Sequence, residues 1–292
     1  MINGLSVRIA SGFILCLAVV LTAFWMPSTG DCILLVTIST LALLEFYHLL
    51  DLTGIPCFRI IGVLFGILII ASTWILSVMN MMANVAEWEM FLLTALVITI
   101  LIRQFPQKLN VQPVATIACT LLGILYVPFL FNYLTKLLFS WESPGMLGCV
   151  GTTGRILFFY LICVVKFSDI GAYVIGSHFG RHRLIPRISP GKTWEGCGAG
   201  IGCGLIMSLV FFWIVDGQFG SVIMTSRDAL ILGVLLPLFG MVGDLTESML
   251  KRAAGVKDSG IIIPGMGGVL DVLDSLLFAV PVFYIYVKYI LA

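Results

Sequence analysis

The chain has 292 residues, 60% of them hydrophobic and only 11% charged, with a mean hydropathy of +1.12 and a formal net charge of +1. That balance excludes a water-soluble fold, and no nucleic-acid partner is expected of it. A spanning helix needs about 20 mostly apolar residues. Such segments are predicted in chain order at Ile9–Trp25, Ile33–Leu50, Ile60–Met79, Met82–Ile102, Val114–Leu138, Ile156–Ser177, Gly196–Val215, Ala229–Leu250 and Val269–Leu291. The fold class expected is therefore all-α, a polytopic bundle of about nine transmembrane helices. The first segment is not read as a cleavable signal peptide, because it ends in Trp25-Met26-Pro27 and a second apolar run follows at once.

Alternation of nine spans assigns each basic residue to a side. Eleven of the 16 lysines and arginines (Arg8, Arg59, Arg103, Lys108, Arg181, Arg183, Arg187, Lys192, Lys251, Arg252 and Lys257) fall on the side of the N-terminus. The opposite side has Lys136, Arg155, Arg227 and Lys288, and Lys166 falls inside the sixth span. By the positive-inside rule, the N-terminus and the loops Arg181–Trp194 and Lys251–Gly268 should be cytoplasmic, as in a bacterial-type inner membrane. The eight cysteines are scattered without C-x-x-C spacing and read as packing residues.

The Gly- and Ser-rich stretch Ser143–Gly154 suggests a division into residues 1–145, with five spans, and 146–292, with four spans and most of the polar motifs. In the first half Glu45, with Tyr47 and His48 near the end of the second span, reads as an interfacial cluster. The tract Lys166–Gly196 places Asp169 within a span, where it needs a partner such as Lys166, a metal or water. It ends in Ser189-Pro190-Gly191-Lys192-Thr193, a turn with a lysine, two hydroxyls and backbone N–H groups, a favourable setting for phosphate. A nucleotide-binding P-loop is excluded, because Pro186 stands where that motif needs glycine. His178 and His182 have metal-ligand spacing but no nearby carboxylate, and Gly196, Gly200 and Gly204 read as a close-packing stripe.

In the tract Gly243–Ser275, helical spacing puts Asp244, Ser248 and Lys251 on one face, with Glu247 and Arg252 flanking it. Asp271, Asp274 and Ser275 share a face of the ninth span. Lys257-Asp258 and the turn Pro264–Gly268 join the two helices. Carboxylates on neighbouring helices can hold a hard cation such as Mg2+, with lysine, arginine and serine meeting the rest of a polyphosphate.

These residues carry a resemblance. S-x-x-K-R at Ser248–Arg252, K-D at Lys257-Asp258, P-G-x-G-G at Pro264–Gly268 and D-x-x-D-S ending at Asp271, Asp274 and Ser275 resemble the signature of the CDP-diacylglycerol synthase, or phosphatidate cytidylyltransferase, family. S-P-x-K-T-x-E-G from Ser189 to Gly196 and D-x-G-A-Y from Asp169 to Tyr173 are similar to it as well. The chain departs from the pattern at Met266, where the family usually has histidine, and at Val272, where it has arginine. The resemblance implies that CTP and phosphatidic acid react to give CDP-diacylglycerol and pyrophosphate, with membrane lipids as surroundings and Mg2+ as cofactor, a monovalent cation such as K+ being compatible beside it. It implies Asp244 and Asp271 as metal ligands. Lys251, Arg252, Lys257 and Lys192 would bind phosphate, and Ser248 and Ser189 would orient it. Asp258, Asp274 and Asp169 would be metal-shell or cation-orienting groups, and Thr193 and Glu195 would complete the substrate-binding turn. The small-residue helices are compatible with a homodimer. The competing reading is a secondary transporter with an ion pathway through Asp169, Asp244 and Asp271. An alcohol phosphotransferase acting on the same liponucleotide is disfavoured, since its D-G-x-x-A-R style signature is missing.

Overall fold

The computed structural model describes residues 27–107, 110–141, 151–265 and 267–291. Among these, eight helices are long and apolar enough to cross a membrane, as expected of an all-α integral membrane protein. They correspond to eight of the nine predicted segments with ends shifted by a few residues. The other, Ile9–Trp25, lies outside the described residues.

Helices α1 (Ser28–Leu52), α2 (Arg59–Val78) and α3 (Val85–Gln104) are continuous. The next span is interrupted: α4 (Pro113–Ile124) passes through a π-helical turn, Leu125–Phe129, into α5 (Leu130–Phe139). Pro128 sits in that turn, where its missing N–H and its ring disturb the regular hydrogen-bond ladder. Then follow α6 (Thr152–Phe179), α7 (Trp194–Ile214), α8 (Ser226–Ala253) and α9 (Val269–Tyr286), which ends in a π-turn, Val287–Leu291. Thr152–Gly154 thus opens a helix rather than closing the expected loop.

Two short hairpins qualify the all-α expectation. The predicted basic loop folds back on itself, β1 (Arg183–Ile185) pairing antiparallel with β2 (Ser189–Thr193), and a smaller hairpin joins β3 (Gln218–Phe219) to β4 (Val222–Ile223). The first satisfies backbone polar groups just outside the apolar layer, where no helix continues.

α9 lies at the centre of the bundle, with 67% of its most apolar window buried, against 17% for α7. The main core runs from Phe46 and Tyr47 of α1 through Phe131 of α5 and Tyr160 of α6 to Leu236 of α8 and Phe283 of α9. Packing therefore continues across the composition change near residue 145. The glycine stripe of α7 lets α6 and α8 approach closely. A Cβ at Gly196 or Gly200 would press on the α6 backbone at Ala172 or Ser168, and one at Gly204 would strike Pro237 of α8. On the remote side, Lys136 pairs with Glu89 at 2.6 Å while Asn132 donates to Glu89 and Thr73, so this intramembrane charge is matched rather than bare.

Candidate active site

The site forms where the C-terminal turns of α8 meet the first turns of α9. A helix start leaves backbone N–H groups without partners, and here two carboxylates meet them. Asp271 reaches back to the Gly268 N–H at 2.7 Å. Glu45, from α1, accepts from the N–H groups of Val269 (3.0 Å) and Leu270 (2.8 Å) and from the Ser259 hydroxyl (3.2 Å). Glu45 is thus buried and fixes the site, where the sequence suggested an interfacial cluster.

The Pro264–Gly268 turn is shaped for this approach. Gly265 and Gly267 have positive φ (+78° and +101°), and a Cβ on Gly268 would collide with the Glu45 carboxylate and the Ser259 hydroxyl. Gly268→Ala should therefore destabilise the protein by about 1–3 kcal/mol, the usual range for overpacking. Thermal unfolding in detergent checks this, and an unchanged midpoint would contradict it.

Asp271 is saturated with donors. Besides Gly268, its Oδ2 accepts from the Ser259 N–H (2.9 Å) and hydroxyl (2.8 Å), and its Oδ1 accepts from Lys251 Nζ (2.6 Å). Lys251 also donates to Glu247 Oε2 at 2.6 Å, so this ammonium bridges two carboxylates on different helices. The family resemblance implies Asp244 and Asp271 as metal ligands. The acids whose oxygens converge in the structure are instead Asp244, Glu247 and Asp274, with one ligand atom of each within 4.8 Å of the others. Glu247 is completely buried, and its Oε1 has no hydrogen-bond partner. Three carboxylates facing one another, one with an unmatched oxygen, are a donor set suited to a hard divalent cation such as Mg2+. The signal for Glu247 was its place one turn after Asp244 (i, i+3), which sequence reading left as flanking.

Cations surround the acids. Lys192, carried by β2, pairs with Asp244 at 2.8 Å, and the Ser248 hydroxyl donates to the same carboxylate at 3.4 Å. Lys166 Nζ lies 3.3 Å from Asp169, and the Ser275 hydroxyl bonds Asp169 at 3.0 Å. Asp274 accepts from the Ser275 N–H at 2.5 Å. Lys257 and Asp258 line two adjoining cavities of about 620 and 560 Å3. The larger is walled by Leu44, Leu52, Ile261 and Ile262, with Glu45 and His48 at its polar side.

Other predicted residues build the frame. Thr193 caps α7, accepting from the Gly196 N–H at 3.1 Å. Glu195 accepts from the N–H groups of Arg181 and His182 and lies 2.6 Å from His182 Nδ1, which gives this histidine the carboxylate neighbour that the sequence reading did not find for it. Arg252 donates to the carbonyls of Ile188 and Val256, tying the hairpin to the end of α8, and Ser189 opens β2. Val272 lies in the first turns of α9, whereas Met266 is outside the described residues.

A phosphatidate cytidylyltransferase of Staphylococcus saprophyticus is 42% identical over 164 residues, 56% of this chain and 56% of that protein. Proteins of the same name from Haemophilus influenzae and a Synechocystis species are 40% identical over 47% of this chain and 34% identical over 61%, covering 48% and 64% of their own lengths. The chain spans about half the length of the first two of these relatives. The model of the Cytidylyltransferase family, in contrast, matches residues 6–290, nearly end to end. Because that match covers nearly the whole chain, the chain belongs to the cytidylyltransferase family.

Proposed function

We propose that this protein is a phosphatidate cytidylyltransferase: it joins CTP to phosphatidic acid, forming CDP-diacylglycerol and releasing pyrophosphate. The observation that carries the reading is the convergence of Asp244, Glu247 and Asp274 beside Lys192, with one Glu247 oxygen unmatched. A phosphate-handling site needs that combination of divalent-cation ligands and phosphate-binding ammonium. The names of the relatives support the same substrates.

The attacking group, a phosphate monoester, has a second pKa near 6, so at neutral pH it is largely dianionic and needs no base in the site. The obstacle is repulsion, since an anion must reach the α-phosphorus of a polyanion. Mg2+, when held by Asp244, Glu247 and Asp274, would supply charge neutralisation. Lys192, paired with Asp244 at the edge of this cluster, would bind the triphosphate. Lys257, at the mouth of the larger cavity, would meet the lipid phosphate. The apolar walls of that cavity suit the acyl end of the same substrate, and Lys251 keeps Glu247 and Asp271 in register. Arg252 would hold the hairpin that carries Lys192 over the site. The orientation read from the basic loops puts this mouth on the cytoplasmic face of the inner membrane, where CTP is found. A K+ ion beside Mg2+ and a homodimer complete this reading.

Purified protein given CTP, Mg2+ and phosphatidic acid in mixed micelles should release pyrophosphate, and far less with ATP, GTP or UTP. No release from folded protein would overturn the proposal. The transporter alternative is not favoured, because the family match spans nearly the whole chain and Asp271 is closed by four donor contacts.

A further inference from the structure

The larger cavity beside the acids has walls from both halves of the chain. Leu41, Glu45, His48 and Leu52 stand three or four residues apart along α1, one stripe of a helix, and all four line it. The loop after α8 supplies the other wall, with Lys257, Asp258, Ser259, Ile261 and Ile262. Three side chains of this lining can donate a hydrogen bond: His48, Lys257 and Ser259. Ser259 is already engaged, its hydroxyl lying 2.8 Å from Asp271 and 3.2 Å from Glu45. His48 and Lys257 are exposed, and among the described residues their side chains have no hydrogen-bond or ion-pair partner.

The charges of the lining make room for an anion. Glu45 is met by the N–H groups of Val269 and Leu270 as well as by Ser259, so its carboxylate is already satisfied. Asp258 follows Lys257 directly and offsets that ammonium. His48 is therefore the donor that turns this wall toward a phosphate, and in either protonation state its imidazole keeps an N–H to give.

The apolar lining identifies the bearer of that phosphate. Ile261 is 96% exposed and Ile262 51%, on a loop that also exposes Lys257 and Asp258. Bulky aliphatic groups set so openly beside charges fit a lipid boundary, where acyl chains cover the one and headgroups meet the other. His48 comes four residues before Leu52, which ends α1, so it stands where an apolar span gives way to headgroups. Side chains on a helix lean toward its start, which aims His48 along the cavity toward Glu45 and Ser259. A nucleoside triphosphate gains nothing from aliphatic walls, whereas a phosphate monoester carried on acyl chains matches both parts of the lining. Ser259 in turn holds Asp271, and Lys251 links Asp271 to Glu247, so the cavity is tied to the acidic cluster.

We infer that His48 is a substrate-binding residue that donates a hydrogen bond to the lipid phosphate from the α1 wall while Lys257 meets it from the loop. The first half of the chain is then part of the lipid site and not only its support. This rests on the proposed reaction for its kinetic readout, and a binding readout stands apart from it.

His48→Ala should raise KM for phosphatidic acid in mixed micelles by about 10- to 100-fold, the range for losing a hydrogen bond to a charged group, while kcat and KM for CTP hold. His48→Gln, which keeps an N–H donor, should restore most of the affinity. An unchanged KM for phosphatidic acid in His48→Ala would overturn the inference, as would a rise confined to KM for CTP. A His48→Gln protein no better than His48→Ala would show that the ring only fills space. The second measurement needs no turnover: native mass spectrometry of the solubilised protein with equal amounts of dioleoyl phosphatidic acid and dioleoyl phosphatidylcholine, without CTP. The wild type should retain phosphatidic acid preferentially, and His48→Ala should lose that preference. No preference in the wild type, or the same preference in both proteins, refutes the assignment. If the wild type releases no pyrophosphate, the proposed function fails separately and lipid retention alone decides. Should His48→Ala not be recovered folded, His48→Leu takes its place and is read by the same outcomes.

Discussion

Asp274→Asn is expected to lower CTP-dependent pyrophosphate release on the order of 10³-fold, the scale for removing a preorganised electrostatic contact at a reacting centre, while leaving the metal-free protein as stable as the wild type or more so. Both effects have one cause. Asp244, Glu247 and Asp274 face one another closely enough to share a cation, and in its absence they repel. Replacing one carboxylate by an amide relieves that repulsion. The amide keeps an oxygen for the Ser275 N–H, so the local hydrogen bond survives. What it removes is an anionic ligand, which a hard dication needs. Two measurements separate the parts: the thermal unfolding midpoint without divalent ions, and Mn2+ binding by electron paramagnetic resonance as a probe of the same site. Near-normal turnover, or normal Mn2+ binding by Asp274→Asn, would remove the triangle of acids from the mechanism.

How far the sequence revealed this site depends on what kind of information each residue needs. Spans are set by local apolar length, so eight of the predicted segments coincide with helices. Asp244, Lys251, Asp271 and Asp274 stood out because helical periodicity groups them on faces, a property of near neighbours in the chain. The link of Glu45 to the site did not, since its partners Ser259, Val269 and Leu270 lie more than 200 residues away and only the packing of α1 against the start of α9 brings them together. The contact of Lys166 with the Val272 carbonyl is hidden for the same reason, since the two residues lie 106 apart in the chain. The difference in surroundings between Asp271 and Glu247 was illegible for a subtler one. Both acids have suitable spacing, and only hydrogen-bond accounting shows that donors already saturate Asp271 while Glu247 retains an unmatched oxygen. The β1–β2 hairpin was masked by composition, because Ser189-Pro190-Gly191, which reads as a turn, is itself the first part of β2.

Asp271→Ala should produce the opposite signature from Asp274→Asn: loss of the fold before loss of the metal. The Asp271 carboxylate accepts from Lys251, from the Gly268 N–H and twice from Ser259, so it joins α8, the preceding loop and the start of α9. Removing one partner of a buried ion pair costs about 3–5 kcal/mol, because the remaining charge stays buried. Here that charge is Lys251, whose side chain is 12% exposed and which would keep only Glu247. The unfolding midpoint in detergent should fall sharply, and Asp271→Asn, which keeps one acceptor oxygen, should fall less. The assignment of ligands turns on the order of these losses. If Asp271→Asn stays folded with a normal midpoint yet no longer binds Mn2+, Asp271 is itself a ligand and the pairing with Asp244 suggested by the sequence is right. If the midpoint falls while the folded fraction still binds Mn2+, the carboxylate acts through Lys251 and Ser259, as the geometry indicates, and the metal belongs to Asp244, Glu247 and Asp274.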